Sequence, residues 1–415
     1  MAKILIKNAN ELITVKETED SKIGILKDYS LLIEDDIIKK IDTYENLKDL
    51  IDNDTKVVDA QGKAVLPGFL DPHTHLVFGG DRLEEYVAKI TAKDSDEIKK
   101  IAGEENVGIA SSISKTREAG FDGLYESSLE KLSEQIKNGI TTVEIKSGYG
   151  IDRDVEITTL EVIKKLKENV PNTIVATYLG GHDYDREMGK DAYFKFMMDE
   201  VLPYVGENKL ADLVDIWVED SIYSIEEGKA YIQKAKEYGM NATIHGDELS
   251  DIGATKMAVE EEIYSIAHLN FITDEEVELL ANSETVGIVL PTTDYVKDYD
   301  NRLADGRKMI DRGVTVALAT NLNPGNWTVS PSIVLDMAAK RHGMTPEEGI
   351  KGFTLNAAKA LRLDKEYGSL EEGKKADIQI WDTDDYRNIV YRHGVNFIDY
   401  VIKHGEIVVD RTDCK

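Results

Sequence analysis

The chain has 415 residues and a net charge of −29, from 79 acidic against 50 basic residues, and 41% of it is apolar. That is material for one barrel-sized core with an accessory domain, and no apolar run approaches the ~18 residues of a membrane span. A diffuse acidic surface argues against nucleic acid or an anionic membrane as a partner and leaves a small molecule as the expected one.

The N-terminus, Met1-Ala-Lys-Ile-Leu-Ile-Lys, alternates like a strand and lacks the apolar core and cleavage site of a signal peptide. The alternation recurs in Ser30-Leu-Leu-Ile-Glu and Lys56-Val-Val-Asp, and again near the other end in Ala376-Asp-Ile-Gln-Ile-Trp and Val401-Ile-Lys-His-Gly-Glu-Ile-Val-Val. Neither end is long enough for a domain, so residues 1–64 and 365–415 are expected to build one small β-sandwich together. Between them, residues 65–364 alternate strand and helix. Strands are predicted at 65–70, 141–146, 173–179, 213–219, 241–245, 265–269, 285–290 and 315–319, with helices at 124–138, 158–168, 225–238 and 274–281 among the intervening segments. Eight such alternations predict a (β/α)8 TIM barrel. The single cysteine, Cys414, permits no internal disulfide and is not expected to bind a metal, and with no signal peptide or membrane span read, the expected compartment is the cytoplasm.

Polar residues gather where the predicted strands end. Leu66-Pro-Gly-Phe-Leu-Asp-Pro-His-Thr-His75 closes an apolar run with a His-x-His pair, and residues two apart on a strand point the same way. His73 and His75 therefore suit two ligands of zinc, iron or a similar ion, although H-x-H alone also arises by chance. His245 ends Ala242-Thr-Ile-His and supplies a third imidazole. Glu248, three residues on, is placed to move protons between water and substrate, the alternative being an ordinary loop carboxylate. His268 and His182 also follow apolar runs and are read as substrate-facing, with a buried structural role as the alternative. Arg82, in Gly79-Gly-Asp-Arg, suits a bidentate clamp on a carboxylate, and Tyr149, in Ser147-Gly-Tyr-Gly, a hydrogen bond to a polar ring. His342, His393 and His404 lie outside this pattern and are expected to be structural.

Taken together, PGFLDPHTHLVFGGDR, TTVEIKSGYGID, Leu179-Gly-Gly-His182, His245-Gly-Asp-Glu248, ALATNLNPG at 317–325 and GSLEEGKKADIQIWD resemble the imidazolonepropionases of the amidohydrolase superfamily over nearly the whole chain. The resemblance implies a barrel with a terminal β-sandwich, one zinc or iron ion, a homodimer, and His73, His75 and His245 as ligands. It also implies Glu248 as acid and base, with Arg82, Tyr149, His182 and the Asn323-Pro-Gly325 turn against the substrate. The implied reaction opens the ring of 4-imidazolone-5-propanoate to N-formimidoyl-L-glutamate.

Three positions depart from the family pattern. Asn321 stands where the family has an aspartate that binds metal and helps activate water; an amide oxygen still coordinates a cation but is a poor proton acceptor. Asn326 replaces a small hydroxyl residue in the substrate pocket, and Asp183-Tyr-Asp185 replaces small and apolar residues. Two further readings are therefore kept beside ring opening. One is a deiminase releasing ammonia from creatinine or another cyclic guanidine, with Asp183 and Asp185 holding a cationic ring. The other is a silent relative that only binds its ligand.

Overall fold

The computed structural model describes residues 3–297 and 302–412, so Cys414 lies outside the described residues. Eight parallel strands follow one another in sequence order: Phe69–Asp71, Ile140–Lys146, Thr173–Gly181, Leu213–Val218, Asn241–Gly246, Ser265–His268, Val286–Val289 and Val316–Leu318. Each pairs in parallel with the next, as in a TIM barrel, with register shifts at Phe69/Leu70 and Leu179/Gly181. Three connecting helices, Arg153–Asn169, Ile225–Glu237 and Asp274–Ala281, start on Asp152, Ser224 and Thr273, whose side chains accept an N–H from the first turn. The long helix Gly108–Lys137 is interrupted at Gly120, where φ is +58°.

The predicted strand at 65–70 is two strands in two sheets. Ala64–Pro67 pairs with Ile378–Trp381 in a terminal sheet, whereas Phe69–Asp71 opens the barrel. Gly68 is the joint: a Cβ there would come within 2.4 Å of Thr141 Oγ1, so only glycine lets the chain pass. Both halves are buried, and an apolar run carries no mark of a change of sheet.

The terminal segments make two sheets. One has four strands in the order 37–43, 29–34, 3–7 and 56–59; the other has six, in the order 406–410, 398–403, 378–381, 64–67, 11–13 and 25–26. Ile4, Ile6, Leu31 and Ile33 of the first meet Val65, Ile378, Ile380 and Ile402 of the second in one buried cluster. Among the described residues no helix is long and apolar enough to cross a membrane.

At the C-terminal mouth of the barrel the first and eighth strands meet through the segments that follow them. The Asn321 N–H donates to His73 O at 3.1 Å, and the His75 N–H to Leu322 O at 2.8 Å. This seam brings Asn321 beside the His-x-His pair.

Candidate metal and substrate site

His73 and His75 follow the first barrel strand and His245 lies near the end of the fifth; one ring nitrogen of each lies within 4.8 Å of the others. His75 Nε2 and His245 Nε2 are 3.2 Å apart. Both nitrogens of His73 and Nδ1 of His75 are buried without a hydrogen-bond partner, and so is Oδ1 of Asn321. Leaving such groups unsatisfied costs about 1–3 kcal/mol each. Burial first, and then the neighbouring positive groups, hold all three imidazoles well below their usual range. They are therefore neutral, the state that ligates a metal. Three neutral nitrogens with a nearby amide oxygen fit a divalent transition-metal ion.

A chain of buried charges stands behind these rings. His245 Nδ1 is 3.1 Å from Asp215 Oδ1, which directs Nε2 and its lone pair toward His75. Lys146 Nζ lies 2.9 Å from Asp215 Oδ2 and 2.8 Å from Glu144 Oε1, and all three side chains are wholly buried. Burial pulls the Lys146 ammonium down, but Asp215 and Glu144 outweigh it and keep it a cation.

Glu248 is buried, with Oε1 3.4 Å from His268 Nδ1. Its loop is fixed by Glu219, whose Oε2 accepts the N–H of Glu248 at 3.2 Å and of Leu249 at 2.9 Å. His268, Asn321 and Asp247 have φ of +84°, +48° and +50°. Non-glycine residues in that region are uncommon and concentrate at functional sites, and here they surround one mouth.

The histidines open onto a cavity of about 90 Å³ lined by His75, Arg82, Tyr149, His182, His245, Glu248, His268, Asn321 and Asn323, together with Ile109 and Trp217. His182 stacks on His75, ring centroids 4.8 Å apart, and Tyr149 lies 5.2 Å from His182. Arg82 Nη2 donates to Asn323 Oδ1 at 3.4 Å, while its Nε is buried without a partner. Gly325 packs under this arginine, since a Cβ there would fall 2.5 Å from Arg82 Nη2.

Asn326 is placed differently from its neighbours. It does not line the 90 Å³ cavity, but borders a second one of about 600 Å³ beside Arg82. Its amide N–H groups go to Thr292, Thr293 and two backbone carbonyls, which holds the turn together. Asp183 and Asp185 are likewise absent from the lining. Asp183 accepts from Arg186 Nη2 at 2.6 Å, and Asp185 accepts the N–H groups of Glu187 and Met188, so both carboxylates serve their own loop. His342 Nδ1–H donates to Ala304 O over 2.8 Å and His404 pairs with Tyr367, and neither lines the cavity.

The residues missed from sequence were Glu144, Lys146, Asp215, Trp217, Glu219 and Thr293. Glu144 and Lys146 carried a signal: charges inside Ile140–Lys146, a strand whose every residue is buried. Trp217, whose indole N–H is buried without a partner, carried none.

A (β/α)8 barrel with a histidine cluster at its C-terminal mouth defines the amidohydrolase class, and the Amidohydrolase family model matches residues 64–408. The chain is 37% identical over 419 residues to the imidazolonepropionase of Clostridium tetani, covering 99% of each, and 36% identical to that of Bacillus cytotoxicus, covering 100% of this chain and 98% of the relative. It belongs to the imidazolonepropionase family. Its fold is shared with a triazine hydrolase variant (TM-score 0.74, 18% identity, 99% of this chain and 95% of that one) and a zinc-bound adenosine deaminase from Xanthomonas campestris (TM-score 0.73, 14% identity, 99% and 93%).

Proposed function

We propose that the chain hydrolyses a C–N bond of a five-membered imidazolone ring, converting 4-imidazolone-5-propanoate and water into N-formimidoyl-L-glutamate. One observation carries this beyond family membership: Arg82 presents a guanidinium with a buried, unpartnered Nε to the cavity that holds the histidines. An anionic propionate tail matches that group.

In this reading His73, His75, His245 and the amide oxygen of Asn321 hold one divalent ion, zinc or iron. Once bound, it supplies Lewis acidity toward water and the ring carbonyl. Arg82 binds the propionate carboxylate, and Tyr149 and His182 orient the ring. Glu248 takes a proton from the attacking water at its carboxylate and returns it to the departing ring nitrogen, while His268 steadies Glu248 and polarises the ring. The water oxygen bonds to the carbonyl carbon as the ring C–N bond opens. Because Asn321 is neutral, the whole proton transfer falls to Glu248.

The barrel, from Phe69 to about residue 364, carries the chemistry, and the terminal segments, with Ala64–Pro67 among them, form the β-sandwich beside it. A homodimer in the cytoplasm is the expected setting. Creatinine-type deimination is the weaker reading, because Asp183 and Asp185 are committed to their own loop.

The test is mass spectrometry of products from metal-loaded protein given imidazolone propionate and creatinine in parallel. A product of the former heavier by one water supports the proposal. Ammonia released from creatinine, with imidazolone propionate unchanged, overturns it.

A further inference from the structure

We propose that Lys146 is a positioning residue that sets the spacing of the metal-ligating histidines, by tying the ends of the first and fifth barrel strands into one buried ionic span. The inference rests on the reading that His73, His75 and His245 hold a divalent ion.

At one end of the span is Thr74, between two of the three histidines. Its N–H donates to Glu144 Oε2 at 3.2 Å and its hydroxyl to Glu144 O at 2.7 Å. Its carbonyl accepts the Lys146 N–H at 3.0 Å. Thr74 is thus held at three points by two residues of the second strand, and the flanking His73 and His75 are carried with it. At the other end, Asp215 Oδ1 accepts the His245 N–H at 3.2 Å and lies 3.1 Å from His245 Nδ1. Between the two ends stands one ammonium group, 2.8 Å from the Glu144 carboxylate and 2.9 Å from that of Asp215.

Such a span is poorly explained as a source of stability. Buried ion groups are often replaced by apolar residues of similar volume at little cost, because desolvation cancels their attraction. Fixing geometry across strands is a different service. Without Lys146 the span loses the one group that holds the Glu144 and Asp215 carboxylates together, and each of these is fastened to a different arm of the ligand set. The histidines then separate without any change in their own chemistry.

The experiment compares zinc-loaded parent with Lys146→Met and Glu144→Gln. The readouts are the rate of zinc release to a chelating dye and the visible spectrum of the cobalt-substituted proteins, with near-ultraviolet circular dichroism to verify folding. Folded Lys146→Met is expected to release zinc about tenfold faster or more, with a shifted cobalt spectrum. Glu144→Gln moves the same way by a smaller factor, since its amide oxygen still accepts the Thr74 N–H. Release within twofold of parent and an unchanged spectrum in folded Lys146→Met overturns the proposal. Should Lys146→Met fail to fold, Glu144→Gln decides: faster release supports the span, and parental behaviour overturns it. A parent that retains neither zinc nor cobalt overturns the metal reading and this inference with it.

Discussion

Asn321 donates its side-chain N–H to Thr293 Oγ1 over 2.9 Å, which leaves its buried Oδ1 for the histidine-lined cavity. The amide is therefore held with its oxygen as the available donor atom. An oriented amide oxygen still carries no charge, so it should bind a cation more weakly than a carboxylate. Asn321→Asp is expected to slow metal loss on the order of tenfold, read as metal content after dialysis against chelator. Equal retention in both forms would remove Asn321 from the ligand set.

Glu248 is assigned the proton transfer alone. Glu248→Gln keeps the side chain's shape and its place above Glu219 but cannot exchange a proton. Turnover should fall roughly 10²–10⁴-fold while metal content stays at the parental value. Substantial residual turnover at full metal occupancy would give the proton to another group.

Arg82 and Gly325 make a paired prediction. Arg82→Ala removes the carboxylate clamp and should raise KM for imidazolone propionate, with a smaller effect on kcat. Gly325→Ala leaves the arginine in the chain but places a methyl where its Nη2 now lies 2.5 Å away, so it should raise KM in the same direction. Lysine at position 82 should rescue little, because one ammonium does not reproduce the planar fork. A parental KM in Arg82→Ala would refute the clamp.

Glu156 gives the fold a pH dependence of known sign. Its Oε1 accepts the Gly150 N–H at 2.6 Å and the Ile151 N–H at 3.3 Å, bracing the turn that carries Tyr149. Burial pushes its carboxyl from 4.5 up to about 7. Between those values the folded chain keeps a proton that the unfolded chain has released, so stability falls as pH rises through that window, by up to about 3 kcal/mol from this group. Glu156→Gln mimics the protonated form and should lose less stability than the parent between pH ~5 and ~7.5 in urea unfolding. The same loss in both proteins would mean that Glu156 does not titrate in this range.

The barrel was largely legible from sequence because its strands are short, mostly apolar runs with polar groups at or just past their C-terminal ends. Seven of the eight predicted strands overlap one observed strand each, and the helix at 274–281 has the predicted bounds. The exception, at 65–70, spans a sheet change that only Gly68 marks. At the site, the histidines, Arg82, Tyr149 and Glu248 announced themselves by their place after apolar runs. The charges of Glu144 and Lys146 inside a buried strand were a signal without a reading, and Asp215 was no clearer, since such a charge takes its meaning from a partner on another strand. Asp183 and Asp185 misled in the opposite way: acidic residues next to a site histidine looked like substrate contacts, whereas local N–H groups and Arg186 occupy them.

The seam that closes the barrel has one more consequence. His73 and His75 make the backbone hydrogen bonds that join the first and eighth segments, so the residues proposed to grip the ion also latch the cylinder shut. An ion held there would act as a rivet through that latch, resisting the opening of the strands as well as serving the chemistry. Stripping it should loosen amide protons along 71–76 and 319–323 before any others in the barrel, and ion loss and mouth opening would then be a single event.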